Sequence, residues 1–199
     1  MLQGVGERLL PLVSFSTGLI IGCSLFRIRL AAGKRYAPKE RKIIMTIEQV
    51  KAYLTECGLG DRVQEFDVSS ATVELAAQAL GCEPCLIAKT MSFLVDDQVA
   101  LVVLAGDARV DNAKFKATFH QKAKMLSHEQ VSEMTGFPVG GVCPFLVPEG
   151  TKVYLDESLK RFEIVYPAAG SRNSAVRVTL AELERAAKPE AWVNVSKLA

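Results

Sequence analysis

The sequence predicts an α+β domain over residues 45–199, with a mixed, largely antiparallel sheet of about seven or eight short strands and four or five helices. Three observations predict it. Ser/Thr-x-x-Gln/Glu capping boxes at Thr46/Gln49, Ser127/Gln130 and Thr179/Glu182 each open a helical run. Two apolar runs, 87–95 and 98–104, are separated only by Asp96-Asp97, which marks a hairpin. No strict strand–helix–strand repeat occurs, so the sheet is not a doubly wound parallel one.

The elements follow in order. Thr46 caps a helix over 47–57, which Gly58 and Gly60 stop. Residues 62–68, "RVQEFDV", alternate as a strand. After Ser69-Ser70, the stripe Val73, Ala76, Ala77 and Leu80 describes a helix closed by Gly81. After the 87–104 hairpin the chain turns at Gly106-Asp107, and a helix starts near Asp111. A short strand at 122–126 and a helix at 128–135 ended by Gly136 come next. "FPVGGVCPFLVPEG" (137–150) is too rich in Gly and Pro to be regular throughout. "KVYLDESL" and "EIVYPAAG" are strands around a helical turn. "SAVRVT" is another strand, 180–187 a helix and "AWVNV" a final strand.

Composition permits a packed core, with 49% hydrophobic and 23% charged residues. The net charge of +2 divides into +6 for residues 1–44 and −4 for the rest. An acidic body does not wrap a long nucleic acid by charge, so any nucleic-acid contact is local, and DNA is not expected as a partner. Five scattered cysteines, an odd count, fit free thiols in a reducing cytoplasm.

Residues 9–26 carry no charge, and seven Lys/Arg follow before position 43. The length admits a membrane anchor, the one route to a membrane partner. Pro11, Gly18 and Gly22 weaken a span. "MTIEQVKAYL" from Met45 opens like a domain. Residues 1–44 are therefore read as a leader: a misplaced start, a disordered segment or an anchor, with one domain at 45–199.

The chemistry centres on Lys89. Strand parity places it with Ile87, Met91, Phe93 and Val95 on an apolar face. A buried ammonium needs a partner, an outlet to water or a cleft, and parity alone leaves all three open. "VGGVCP" supplies consecutive backbone N–H groups at Gly140, Gly141, Val142 and Cys143, which can form an oxyanion site or an ordinary turn. "AAGSRNS" (168–174) is a second loop of small residues. His120 and His128 are read as structural, and neither a dinucleotide fingerprint nor a P-loop occurs.

These stretches resemble the YbaK/EbsC family of prolyl-tRNA synthetase-associated, aminoacyl-tRNA editing domains. The resemblance rests on "IAKT" (87–90), "VVLAGDARVDNAKFK" (102–116), "HEQVSEMTGFPVGGVCPF" (128–145), "VYLDESL" (153–159) and "YPAAGSRNS" (166–174), in that order. It covers about residues 45–197 and leaves out the leader. It implies a curled sheet with surrounding helices and hydrolysis of mischarged aminoacyl-tRNA carrying a small amino acid, in trans. The expected partners are the tRNA acceptor end, with tRNA(Pro) one candidate, and an aminoacyl-tRNA synthetase. No cofactor or metal is implied. The family's essential lysine falls on Lys89 and its GGxxP loop on Gly140, Gly141 and Pro144. The small-residue loop falls on 168–174. Lys89, Gly140 and Gly141 are the expected catalytic residues, and Thr90, Val142, Pro144, Ala168, Gly170, Asn173 and Ser174 the expected substrate-binding residues. Lys89 would hold the terminal adenosine, its phosphate or the ester, and the loop amides the carbonyl oxygen. The branch that deacylates cysteinyl-tRNA(Pro) carries a serine and an aspartate where this chain has Ala168 and Ala175, so that substrate does not carry over. A non-catalytic binding module for aminoacyl-tRNA ends or a protein partner is the competing reading.

Two further signals compete. Cys82 and Cys85 have CxxC spacing, but they follow a helix stop rather than open a helix, and no second pair completes a zinc site. Arg109, Lys114, Lys116, Lys122 and Lys124 form a basic run, either a solvated face or a contact to acceptor-end phosphates.

Overall fold

The computed structural model describes residues 45–199. The readings for residues 1–44 lie outside the described residues. Among the described residues, no helix is long and apolar enough to cross a membrane.

Local sequence sets most element ends. In α1 (Ile47–Glu56) the Thr46 hydroxyl accepts the Gln49 N–H, and the Gln49 side chain accepts the Thr46 N–H. Reciprocal boxes likewise open α4 (His128–Thr135) and α5 (Leu180–Ala187). α2 (Val73–Leu80) is capped by Thr72 and closed by left-handed Gly81. The Asp111 carboxylate caps α3 (Asn112–Phe119) by accepting the Ala113 and Lys114 N–H groups. β2 (Ile87–Val95) and β3 (Gln98–Ala105) pair antiparallel from Ala88↔Ala105 to Val95↔Gln98. Asp96 and Asp97 both take positive φ, 49° and 60°, the two-residue turn whose twist matches the flanking strands.

Four places depart from the sequence expectation. The strand expected at 62–68 is only β1 (Val63–Glu65), because the Phe66 and Ser70 N–H groups donate instead to Asn173 O and Arg172 O. Residues 122–126 form no strand. They touch β2 through one bridge, Phe93↔Met125, and two backbone bonds. "SAVRVT" divides into β7 (Ser174–Val176), which pairs with β1, and β8 (Val178–Thr179), which pairs with β6 (Ile164–Pro167). Beyond β9 (Ala191–Val193), β10 (Ser196–Leu198) pairs with β4 (Ala108–Val110). With β5 (Lys152–Asp156), the main sheet has the order β8-β6-β2-β3-β5-β9.

The fold is the mixed α+β class expected, with the six strands curled and five α-helices around them. Four of the seven ladders among the described residues are antiparallel. β3 is buried from Val99 to Ala105, which accounts for its unbroken apolar run at the centre of the sheet. Phe93, Phe115, Phe137, Phe145 and Leu155 pack around it. Asp156 anchors the C-terminal segment from inside the core. Its carboxylate accepts the Ser158 and Val195 N–H groups and the Ser196 hydroxyl.

Candidate functional site

The site begins where the sheet is interrupted. β6 runs parallel to β2 for only two pairs, Ile87↔Tyr166 and Ala88↔Pro167. Pro167 has no N–H to extend the ladder, and Ala168 turns to bridge Ala175. Further along the same edge, the 124–126 segment covers β2 only from Ser92, whose carbonyl accepts the Leu126 N–H. Lys89 and Thr90 therefore stand at an open stretch of strand edge.

A cavity of about 360 Å³ occupies that opening. Its walls are the turn into α2 and its first residues (Ser70 to Val73, and Ala76), the start of β2, the Gly140–Val142 loop, and Tyr166, Ala168, Ser174 and Ala175. Six of the ten site residues expected from sequence lie on this wall: Lys89, Thr90, Gly140, Val142, Ala168 and Ser174.

Lys89 is half-buried, and its Nζ donates to Gly106 O at 2.9 Å. Burial pushes its pKa below the ordinary lysine value, while the charges of Asp107 and Glu74 oppose that shift. Neither acid forms a salt bridge with it among the described residues. Asp107 is engaged by the Arg161 guanidinium, with Nη1 3.0 Å from Oδ2 and Nη2 on Oδ1, and this holds the Asp107 carboxyl below its usual range. The ammonium thus keeps two of its three N–H donors for a ligand.

The glycine loop is less uniform than its sequence. The Gly141 N–H donates to Pro138 O at 2.9 Å, closing a turn. Gly140, at φ +84°, and Val142 make no backbone N–H bond among the described residues, and both lie on the cavity wall. The loop can thus offer two donors there rather than a continuous run.

Four expected residues are not on the wall. A Cβ on Gly141 would come within 2.7 Å of the Ser171 carbonyl carbon, so its smallness lets the two loops pack against each other. Gly170, at φ +94°, faces α1, where a Cβ would meet Val50 Cγ2 at 2.7 Å. Pro144 is buried behind the loop. Asn173 is exposed and clamps the small-residue loop to the chain before α2, its Nδ2 donating to Phe66 O at 2.8 Å. These positions shape the loops. The α2 wall, by contrast, was hidden in the sequence, because Val73 and Ala76 also satisfy an ordinary helical core stripe. The threonine cap beside them was the one signal that the α2 N-terminus has a defined edge.

The competing signals fall elsewhere. Cys82 and Cys85 are free thiols whose pKa values burial pushes up, opposite to the shift that activates a redox cysteine. Cys143 is fully buried, donates to Phe145 O and is pushed up to about 12 by burial. No cluster of three potential metal ligands occurs among the described residues. None of the five residues of the basic run lines the cavity, and Lys114 is tied to Asn194 and Ser196 O. His120 and His128 are exposed at helix ends.

Comparison with known proteins bears on what such a cavity is for. The aminoacyl-tRNA editing domain family matches residues 68–186, a span that holds Lys89 and both loops. The chain belongs to this family. It is the YbaK/EbsC family that the motifs resembled. Within it, this chain is 47% identical to the uncharacterized protein YwhH of Bacillus subtilis (strain 168), over 77% of this chain and 98% of that one. It is 27% identical to the proline–tRNA ligase of Bacillus velezensis over 62% of this chain but only 22% of the ligase, so the likeness there is to one segment of a larger enzyme. Among solved structures, a candidate trans-editing enzyme for prolyl-tRNA synthetase superposes with a TM-score of 0.68 at 29% identity, covering 76% of this chain and 96% of that one. Family membership supports an editing role on aminoacyl-tRNA.

Proposed function

We propose that residues 45–199 hydrolyse the ester bond of a mischarged aminoacyl-tRNA in the cytoplasm, releasing a small amino acid and free tRNA. The observation that carries this reading is the placement of Lys89. A half-buried ammonium, not neutralised by a carboxylate, shares one cavity with Gly140 and Val142, whose backbone N–H groups make no hydrogen bond among the described residues. Such a site suits a substrate that is anionic at one end and develops negative charge on a carbonyl oxygen at the other.

In this mechanism Lys89 holds the phosphate or ribose of the terminal adenosine. The Gly140 and Val142 N–H groups donate to the ester carbonyl oxygen as it becomes an oxyanion. Water adds to the carbonyl carbon, the bond from that carbon to the ribose oxygen breaks, and the departing oxygen takes up a proton. A cysteinyl ester could instead be attacked by its own thiol. No side-chain nucleophile is required, and Ala168, Ser174 and Thr90 line the place of the acyl group. The acceptor end is the part of the tRNA gripped. An acidic body implies few phosphate contacts and a shallow salt dependence, with a synthetase presenting the rest of the tRNA.

The test is a panel of labelled misacylated tRNAs, tRNA(Pro) among them, incubated with substoichiometric protein. Release of amino acid beyond one equivalent supports the proposal. Saturable binding with no release would establish the binding-module reading instead.

A further inference from the structure

A second hollow, a groove of about 540 Å³, adjoins the cavity. The two meet at Ala71 and Gly140, which line both. A Cβ on Gly140 would come within 2.7 Å of Ala71 Cβ, so the glycine lets the loop and the chain before α2 touch at this junction. The small-residue loop also serves both hollows, Arg172 in the groove and Ser174 in the cavity. Three chain segments thus run from one hollow into the other, and a ligand that fills the cavity has a built path past Ala71 and Gly140.

The chemistry of the groove differs from that of the cavity. Arg172 is exposed, and its guanidinium makes no hydrogen bond or ion pair among the described residues. Its main chain is what holds the fold: the Arg172 carbonyl accepts the Ser70 N–H at 2.6 Å and the Ser70 hydroxyl at 3.1 Å. The side chain is left as a fork of five donors with no acceptor, the geometry that suits a phosphate. From α4, His128 adds a ring and Ser132 a hydroxyl, groups that suit a base and a ribose. Glu129 is the one carboxylate of this lining, and it disfavours a second phosphate there.

Resting on the deacylase reading above, we propose that this groove takes the nucleotide that precedes the terminal adenosine, with Arg172 holding its phosphate. Lys89 then acts at the terminal adenosine and Arg172 one nucleotide further along the same single strand. The cavity by itself admits any small aminoacyl ester. The groove confines it to esters carried on an RNA end.

The experiment measures kcat and KM on two substrates bearing the amino acid released fastest in the panel. One is the full tRNA. The other is adenosine 5′-monophosphate acylated on its ribose, which keeps the terminal phosphate and lacks the preceding nucleotide. Arg172→Gln raises KM on the tRNA about tenfold, the scale of one hydrogen bond to a charged group, and leaves kcat within about twofold. The dependence of log KM on log salt flattens by about 0.7, the share of one phosphate contact to a single strand. On the short ester the variant changes kcat/KM by no more than about twofold. Thermal melting checks the fold, and the KM and salt readings on the tRNA decide the matter even if the short ester turns over too slowly to measure. A tRNA KM unmoved by Arg172→Gln, or an equal loss on both substrates, overturns this inference and leaves the deacylase reading standing. Hydrolysis of no ester in the panel overturns both.

Discussion

Replacing Lys89 by methionine keeps the stem of the side chain and removes the charge, and the structure sets its two consequences far apart. On the stability side, the bond to Gly106 O is lost, which costs about 1 kcal/mol for a half-buried carbonyl. Against that, the variant no longer has to bury an ammonium, the cause of its lowered pKa. The two effects oppose, so the folding free energy from urea titration should move by no more than about 1 kcal/mol. On the activity side, Lys89 holds the terminal adenosine that positions the ester against the Gly140 and Val142 amides, so its loss lets the ester shift and single-turnover deacylation should fall about 10²-fold. The pH profile provides a second readout. Burial places the folded Lys89 pKa below 10.5, so the folded lysine loses its proton before the unfolded one. Between the two values the unfolded chain binds more protons, and the Lys89 contribution to stability rises with pH. Activity that needs the cation falls across the same interval, and Lys89→Arg should remove that alkaline limb. A folded Lys89→Met protein that deacylates within threefold of the wild type would refute the reasoning.

Four other outcomes follow. Gly106→Ala places a Cβ 1.9 Å from the Pro84 carbonyl oxygen and 2.8 Å from Val73 Cγ1, so backbone must move. It should lose about 2–3 kcal/mol of stability by urea titration and, because the Lys89 acceptor shifts, lose deacylation as well. Asp156→Ala strips three donors of their acceptor inside the core and should cost about 3 kcal/mol or more, read as a fall in melting temperature. Cys82→Ser with Cys85→Ser should leave deacylation unchanged. In the native protein near pH 8 a thiol reagent should leave Cys143 unlabelled until denaturant is added, because that thiol is buried and pushed up to about 12.

The elements legible in the sequence are those whose hydrogen bonds close within a few residues. Thr46/Gln49, Ser127/Gln130 and Thr179/Glu182 specify helix starts by themselves, and Asp96-Asp97 specifies its turn. What the sequence hid depends on partners distant along the chain. "SAVRVT" alternates without a break, yet its halves join different strands: β7 pairs with β1, far back in the chain, and β8 with the nearby β6. β10 is short and largely exposed, so no apolar rhythm announced it. The same division runs through the site. Lys89, Thr90 and the two loops could be named from their motifs. A motif does not say which glycine faces a cavity and which permits packing, and Gly141 and Gly170 turn out to serve Ser171 and Val50.

The opening itself follows from where pairing on one edge of β2 stops and restarts. β6 ends its ladder at Pro167, which cannot donate, and the 124–126 segment begins its contacts at Ser92. A longer β6 would cover Lys89 and Thr90 and convert the site into ordinary sheet. Neither nearby carboxylate neutralises the cation at this gap: Arg161 takes Asp107 with both terminal nitrogens, Glu74 makes no ion pair with Lys89, and Lys89 has only a neutral carbonyl. An interrupted strand edge and a lysine that neither nearby acid neutralises are each unfavourable for folding on their own. The open edge and the cation with only a neutral partner coincide there, which is why we propose that the substrate sits in this gap rather than on the exposed basic residues between 109 and 124.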